Sequence, residues 1–129
     1  MKFEASHTYA APTVRISLAL VFLWFGTQQL VSPGEWVGLL PYWAPVSLFD
    51  DAETLIMLNG WLEIVLGTML LVGFATRFAA IILGVHLFCI AIAMGGATGV
   101  RDLGLALATL SIVLAGPDRL SLDTKMQKA

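Results

Sequence analysis

The chain has little charge. Only 12% of its 129 residues are Asp, Glu, Lys or Arg, whereas 58% are hydrophobic. A typical soluble domain is about a quarter charged, so this composition excludes an ordinary soluble protein. The net charge is −2 and the sequence contains no basic patch. We therefore expect no nucleic-acid partner.

Cysteine is nearly absent as well. Cys89 is the only one, which excludes an intrachain disulfide and a CxxC redox pair. The sequence also lacks a glycine fingerprint for a nucleotide and a Cys/His cluster for zinc or iron–sulfur. We therefore expect no metal site and no intrinsic cofactor, so any electrons must come from another protein or a bound small molecule. Cys89 itself is interpreted as a small core residue.

Four apolar runs are long enough to cross a hydrocarbon core of about 30 Å. They cover residues 14–31, 55–74, 78–94 and 98–116, within a single transmembrane domain of residues 1–129. Backbone groups in lipid must be satisfied internally, so the runs should be helices. The fourth must begin near Thr98 to be long enough, which places Arg101 and Asp102 below the headgroups. Residues 1–13 are polar to mixed and are expected on the membrane surface.

The links between the spans predict a compact four-helix bundle. Gly73 suits a left-handed C-terminal cap and Thr76 an N-cap, which gives a tight hairpin between the second and third spans. Residues 95–99 close the next hairpin, and short links make sequential helices neighbours. The fold class predicted from the sequence is thus all-α, an integral membrane four-helix bundle.

The link between the first two spans, residues 32–54, is apolar and aromatic. Pro41 and Pro45 forbid one long helix there. Its rings suit a membrane interface, so we expect the segment to lie flat on the outer surface or to cap the bundle.

The distribution of Lys and Arg predicts the orientation. One side of the membrane carries a single basic residue, Arg101, and no basic residue lies in the 32–54 loop. By the positive-inside rule this side faces outward, which places both termini in the cytoplasm and the chain in the cytoplasmic (inner) membrane. The other side carries six, namely Lys2, Arg15, Arg77, Arg119, Lys125 and Lys128.

Glu63 lies near the middle of the second span, where carboxylates are rare and mark a function or a buried pair. At 1.5 Å per residue, Asn59 lies roughly 7 Å and Glu63 roughly 13 Å below the outer surface, and their spacing puts them on one helix face. His86 has a similar depth in the third span, and the side chain of Arg101 can reach toward Glu63. The other candidate ligand or proton-site residues at this level are Asp102, Gln28, Gln29 and Trp24.

Each of these residues has a structural alternative. Glu63 and Arg101 can form a buried ion pair that only fixes helix register. His86 can donate one internal hydrogen bond, and as a haem ligand it would need another subunit. The Gln and Asn side chains can hold helices together, with Gly60 and Gly67 allowing close approach.

Several motifs resemble the DoxX/DoxD-like family of small four-span membrane proteins. They begin with Arg15 and the Leu-Phe-x-Trp-Phe-Gly26 segment and continue with Gly60-Trp-Leu-Glu63-Ile-Val-Leu-Gly67. The others are Leu71-Val-Gly73-Phe-Ala-Thr-Arg77, Arg101-Asp102-Leu103 and Gly116-Pro-Asp-Arg119-Leu-Ser-Leu-Asp123.

The resemblance implies a membrane fold with the acidic site on Glu63 and its basic partner on Arg101. It also implies an association with membrane redox complexes, since named members are linked to a thiosulfate:quinone oxidoreductase. A quinone is the ligand that an acid–base cluster of this kind suits, because its carbonyls need donors and its reduction consumes protons.

The leading hypothesis is therefore a small accessory membrane subunit of a quinone-linked oxidoreductase, rather than an enzyme that acts alone. Its partners would be the lipid bilayer and other membrane subunits, or further copies of itself. A structural or assembly subunit without its own chemistry is the first alternative. A small-solute or proton carrier is the second, although no span is broken by Pro at its centre.

Overall fold

The structure is a computed structural model that describes the backbone of residues 3–129 and the side chains of residues 8–129. These residues form helices and turns only, in the order α1 (Phe3–Val31), α2 (Ala52–Val72), α3 (Thr76–Met94), α4 (Gly96–Ala115) and α5 (Leu122–Gln127). Each of α1 to α4 is long and apolar enough to cross a bilayer. The prediction of an all-α membrane bundle is confirmed, and the chain is a multi-pass membrane protein.

The bundle has two different ends. At the loop end, α1 finishes, α2 begins, and α3 turns into α4 at Gly95. At the terminal end lie the start of α1, the turn between α2 and α3, the end of α4, and residues 116–129. The link between α1 and α2 contains two short 3-10 helices, Pro33–Leu39 and Val46–Leu48, and no long helix, as the prolines predicted.

The first helix begins earlier than predicted. The sequence placed its start near residue 14, but α1 begins at Phe3 and its apolar span at Thr8. Polar composition marks where a helix leaves lipid, and helix can continue into water beyond that point. Residues 1 and 2 lie outside the described residues.

The turn between α2 and α3 is capped by a distant residue. Gly73 has the predicted left-handed conformation, with φ of 73°. The prediction of Thr76 as the N-cap is wrong, because Ala75 occupies that position and Thr76 is the first residue of α3. The carboxylate of Asp123 accepts hydrogen bonds from the backbone N–H groups of Ala75 and Thr76 at 2.7 and 2.8 Å. The C-terminal segment thus supplies the cap that local sequence was expected to provide.

A buried arginine also holds the terminal end together. The Arg15 guanidinium on α1 is only 2% exposed and donates to both carboxylate oxygens of Asp118, at 2.6 and 3.3 Å. It donates further to the backbone carbonyls of Leu70 and Leu71 at the end of α2. Arg15 therefore ties α1 to α2 and to the segment that follows α4.

The helices pack mainly as two pairs, α1 with α2 and α3 with α4. Gly26 and Gly60 bring the first pair into backbone contact, since a Cβ on Gly26 would lie 2.7 Å from the carbonyl oxygen of Gly60. In the second pair, a Cβ on Gly99 would lie 2.6 Å from the carbonyl oxygen of Ala91. The pairs meet in an apolar core formed by Leu18, Ala19, Phe22, Leu66, Leu70, Ala79, Ala80, Leu83, Leu87, Ala106 and Ile112.

Candidate functional site

The loop end of the bundle is hollow. A cavity of about 420 Å³ lies among α1, α2, α3 and α4, and the link between α1 and α2 covers it. Its walls are mainly apolar, and the polar or charged side chains set into them include Gln29, Asn59, Glu63, His86, Thr98, Arg101 and Asp102. Ligand pockets typically enclose about 300–1,000 Å³ and combine apolar walls with a few placed polar groups. This cavity fits that description.

Glu63 is the centre of a hydrogen-bond network that joins three helices. Its side chain is 5% exposed, and Oε1 lies 3.1 Å from Nε2 of His86 on α3. Gln29 on α1 donates to Oε2 at 3.2 Å, and Asn59 donates to Oε1 at 3.3 Å. Asn59 also donates to the side-chain oxygen of Gln29 at 2.7 Å. Two glycines bring these side chains within reach of each other: a Cβ on Gly26 would lie 3.1 Å from the Cβ of Glu63, and a Cβ on Gly60 would lie 3.1 Å from the Cβ of Gln29.

The partners of Glu63 define its chemistry. The side-chain NH₂ groups of Gln29 and Asn59 both donate to Glu63, so each needs a carboxyl oxygen that accepts a hydrogen bond. The contact with His86 has two forms: a carboxylate that accepts from the imidazole N–H, or a carboxylic acid that donates to the bare nitrogen. The same two atoms can therefore share one proton, and the imidazole can bind a second. This pair can take up and release protons inside the apolar part of the bundle.

A second charged pair lies on α4. Nε of Arg101 donates to Oδ1 of Asp102 at 2.7 Å; the Asp102 side chain is buried, whereas that of Arg101 is 56% exposed. The Arg101 guanidinium also lies over the ring of Phe25 on α1, 5.9 Å from its centre. The prediction that Arg101 is the direct partner of Glu63 is therefore wrong. Asp102, the next residue on the same helix, is closer and already buried, and His86 takes the place beside Glu63.

Three other predictions turn out differently. Neither Gln28 nor Trp24 lines the cavity, and Trp24 is exposed with its ring packed against that of Phe25. Adjacent residues of a helix point about 100° apart, and here Gln29 is the buried one of the two. Cys89 is exposed and lines the cavity, so its interpretation as a core residue is wrong. Because Cys89 and Arg101 are both exposed and both line the cavity, the cavity is open to the surroundings of the bundle.

Four large aromatic side chains line the cavity. Trp36 and Trp43 come from the link, and Phe22 and Phe25 from α1. Trp36 packs edge-to-face against Phe25 with ring centres 5.7 Å apart. The link thus caps the bundle, one of the two arrangements expected for it, while Tyr42 and Leu48 remain largely exposed. The sequence analysis did not single out Phe25, although its spacing of four from Gln29 puts both on one face.

The described side chains contain no group of three or more His, Cys, Asp or Glu residues that could hold a metal ion. What the geometry defines is a polytopic helical membrane protein with a partly open, acid-containing cavity at one end. A family model described as DoxX matches residues 10–96, about two thirds of the chain, and the chain belongs to this family. A comparison with curated proteins and one with solved structures find no match.

The matched range divides the site. Gln29, Asn59, Glu63 and His86 lie within residues 10–96, whereas Arg101 and Asp102 lie beyond it. The resemblance noted in the sequence extended to Asp123, so its last two motifs are outside the match.

Proposed function

We propose that the chain is a small accessory subunit of a membrane redox complex and that the loop-end cavity binds a quinone. The observation that carries the proposal is the cavity itself: a mainly aromatic and aliphatic space with acids and bases from α2, α3 and α4 in its wall. A planar quinone ring suits aromatic walls, and its two carbonyl oxygens need hydrogen-bond donors.

Arg101 is the proposed donor to one carbonyl oxygen. Its bond to Asp102 uses only the Nε–H group, so both terminal NH₂ groups remain available to a ligand. Its position at the open side of the cavity, over the Phe25 ring, fits a residue that a ligand meets first.

The Glu63–His86 pair is the proposed proton source. Reduction of a quinone to a quinol takes two electrons and two protons, and an acid–base pair beside the ligand can supply protons in an apolar environment. The sequence contains no cofactor fingerprint, so the electrons would come from a partner subunit. This is why we propose an accessory subunit rather than an enzyme that acts alone.

Tryptophan fluorescence tests the quinone site directly. A short-chain quinone titrated into the detergent-solubilised protein should quench Trp36 and Trp43 saturably. Substitution Arg101→Gln should weaken binding by roughly tenfold, since a hydrogen bond to a charged donor is lost. The matched control Glu35→Gln, an exposed acid of the link outside the cavity lining, should bind as the wild type does. Quenching that does not saturate, or that is equal in Arg101→Gln, would overturn the site.

Association with a redox partner has a separate test. Mild solubilisation of native membranes, followed by affinity isolation of the chain, should recover a quinone-linked enzyme together with it. Isolation of the chain with partners that have no redox activity would instead support the assembly subunit.

We further propose that the chain lies in the cytoplasmic membrane with both termini in the cytoplasm. The four spans bring the start of α1 and the end of α4 to the same end of the bundle, and Arg77, Arg119, Lys125 and Lys128 all belong to that end. A C-terminal reporter that is active only in the cytoplasm should be active. Activity of a periplasm-specific reporter at that position would contradict the orientation.

A further inference from the structure

The cavity wall carries two carboxyl groups but only one guanidinium group. The charged or titratable groups that face it are Glu63 on α2, His86 and Cys89 on α3, and Arg101 and Asp102 on α4. The helix α1 and the link contribute only uncharged residues to the lining. With both carboxylates ionised, Arg101 charged and His86 neutral, the wall has a net charge of −1.

The negatively and positively charged side chains of the wall also differ in burial. Both carboxylates are about 95% buried, whereas the Arg101 side chain is 56% exposed. Solvent screens an exposed charge much more than a buried one. When both carboxylates are ionised, the potential inside the cavity is therefore more negative than the count of charges alone suggests.

The aromatic lining also favours a cationic ligand. The faces of Trp and Phe rings attract cations, and Phe22, Phe25, Trp36 and Trp43 all line the cavity. The guanidinium of Arg101 already lies over one of these rings. A large apolar space with buried negative charge and aromatic faces matches an organic cation with apolar substituents.

We propose that this cavity binds lipophilic organic cations, such as quaternary ammonium or phosphonium ions with aromatic substituents. The proposal does not depend on the quinone site, because it rests on the sign of the charge in the wall rather than on hydrogen-bond donors. A quinone is neutral and needs Arg101, whereas a cation is repelled by Arg101.

Protons compete with such a ligand. A proton bound by Glu63 or His86 cancels the negative charge of the cavity, so a cation and that proton exclude each other. Binding of the cation therefore tightens as pH rises, by up to about tenfold per pH unit over the range where one proton is released.

Two ions of the same shape and opposite charge, tetraphenylphosphonium and tetraphenylborate, test the proposal. Equilibrium dialysis in one detergent should show saturable binding of the phosphonium only, tightening with pH. Bound phosphonium should also slow alkylation of Cys89 by a maleimide, which locates the ligand because Cys89 is the only cysteine and lines the cavity.

Variants that change the charge of the wall test whether that charge causes the binding of the phosphonium ion. Glu63→Gln and Asp102→Asn should each weaken phosphonium binding by roughly tenfold, and Glu35→Gln should leave it unchanged. Arg101→Gln should tighten it by roughly tenfold, a gain that misfolding does not produce. Equal binding of both ions, or weaker phosphonium binding in Arg101→Gln, would overturn the proposal. Because the same variant should weaken quinone binding, failure of one proposal is distinguishable from failure of the other.

Discussion

The two ends of the bundle each bury a carboxylate beside a base, but they do so in different surroundings. At the terminal end, Arg15 and Asp118 are 2% and 6% exposed, and the guanidinium also donates to two backbone carbonyls. At the loop end, Glu63 faces His86, whose side chain is 21% exposed, beside an open cavity. The first pair has no room for a ligand, and the second has.

Packing differs in the same way. Ala79, Ala80, Leu83 and Leu70 are fully buried between the helix pairs toward the terminal end. Further along α3, Ala93 lines the cavity instead. The comparison teaches that a buried acid in a membrane bundle is structural where all its partners belong to the protein in a filled space. It becomes available for chemistry where the space beside it is empty.

The largest effect should come from Arg15. Substitution Arg15→Met leaves Asp118 buried without its base and leaves the carbonyls of Leu70 and Leu71 without donors. Loss of one partner of a buried ion pair costs about 3–5 kcal/mol, and we expect a fall of that size in the free energy of unfolding. Unfolding in mixed micelles, followed by circular dichroism, measures it.

Arg119→Met is the control for this loss of charge, because Arg119 is exposed and its guanidinium lies over the Tyr9 ring. It should cost less than about 1 kcal/mol. Equal losses in the two variants would show that Arg15 does not hold the terminal end together.

A matched pair of alanines on α3 measures the difference in packing. Ala80→Leu adds volume to a filled core and should lower the free energy of unfolding by about 1–3 kcal/mol. Ala93→Leu adds the same atoms toward the cavity and should change stability by less than about 0.5 kcal/mol. Alanine and leucine have similar helix propensities, so the contrast reports packing.

Ala93→Leu also serves as a test of the cavity itself. It should reduce binding of both the quinone and the phosphonium ion, because it fills part of the space they need. A loss of stability in Ala93→Leu as large as that in Ala80→Leu would mean that the loop end is as well packed as the terminal end.

The sequence predicted the bundle because length and hydrophobicity are local properties. Four apolar runs, short links and Gly73 were sufficient for the helices, their order and one turn. Glu63, Asn59, Gln29 and His86 were also found, since depth along each helix follows from counting residues.

The pairing within the site was beyond that reasoning. The depth of a residue gives its position along the helix axis but not the direction in which its side chain points around that axis. Arg101 was therefore assigned to Glu63, although Asp102 is adjacent to Arg101 on the same helix. The roles of Arg15 and Asp123 were missed for a related reason. Their partners, Asp118 and the backbone amides of Ala75 and Thr76, are far away in sequence. A single charged residue near the end of an apolar span is common at a membrane boundary, so neither residue by itself indicates a distant partner.

The smallest effect is the acid sensitivity that Asp123 gives to the terminal end. Burial by itself raises the pKa of this carboxyl, but the hydrogen bonds from Thr76 and Ala75, with the charge of Arg15, hold the pKa below its ordinary value of 3.8. A carboxyl group with a lowered pKa stabilises the fold above the unfolded-state pKa, and this contribution is lost as pH falls through the folded-state value.

Asp123→Ala should cost about 0.5–2 kcal/mol near neutral pH, as for other lost helix caps. The difference from the wild type should shrink below about pH 4. Unfolding measured at pH 7, 5 and 3 tests this, with the exposed Asp50→Ala as the control. A difference between Asp123→Ala and the wild type that stays constant down to pH 3 would show that the cap does not depend on the charge of Asp123.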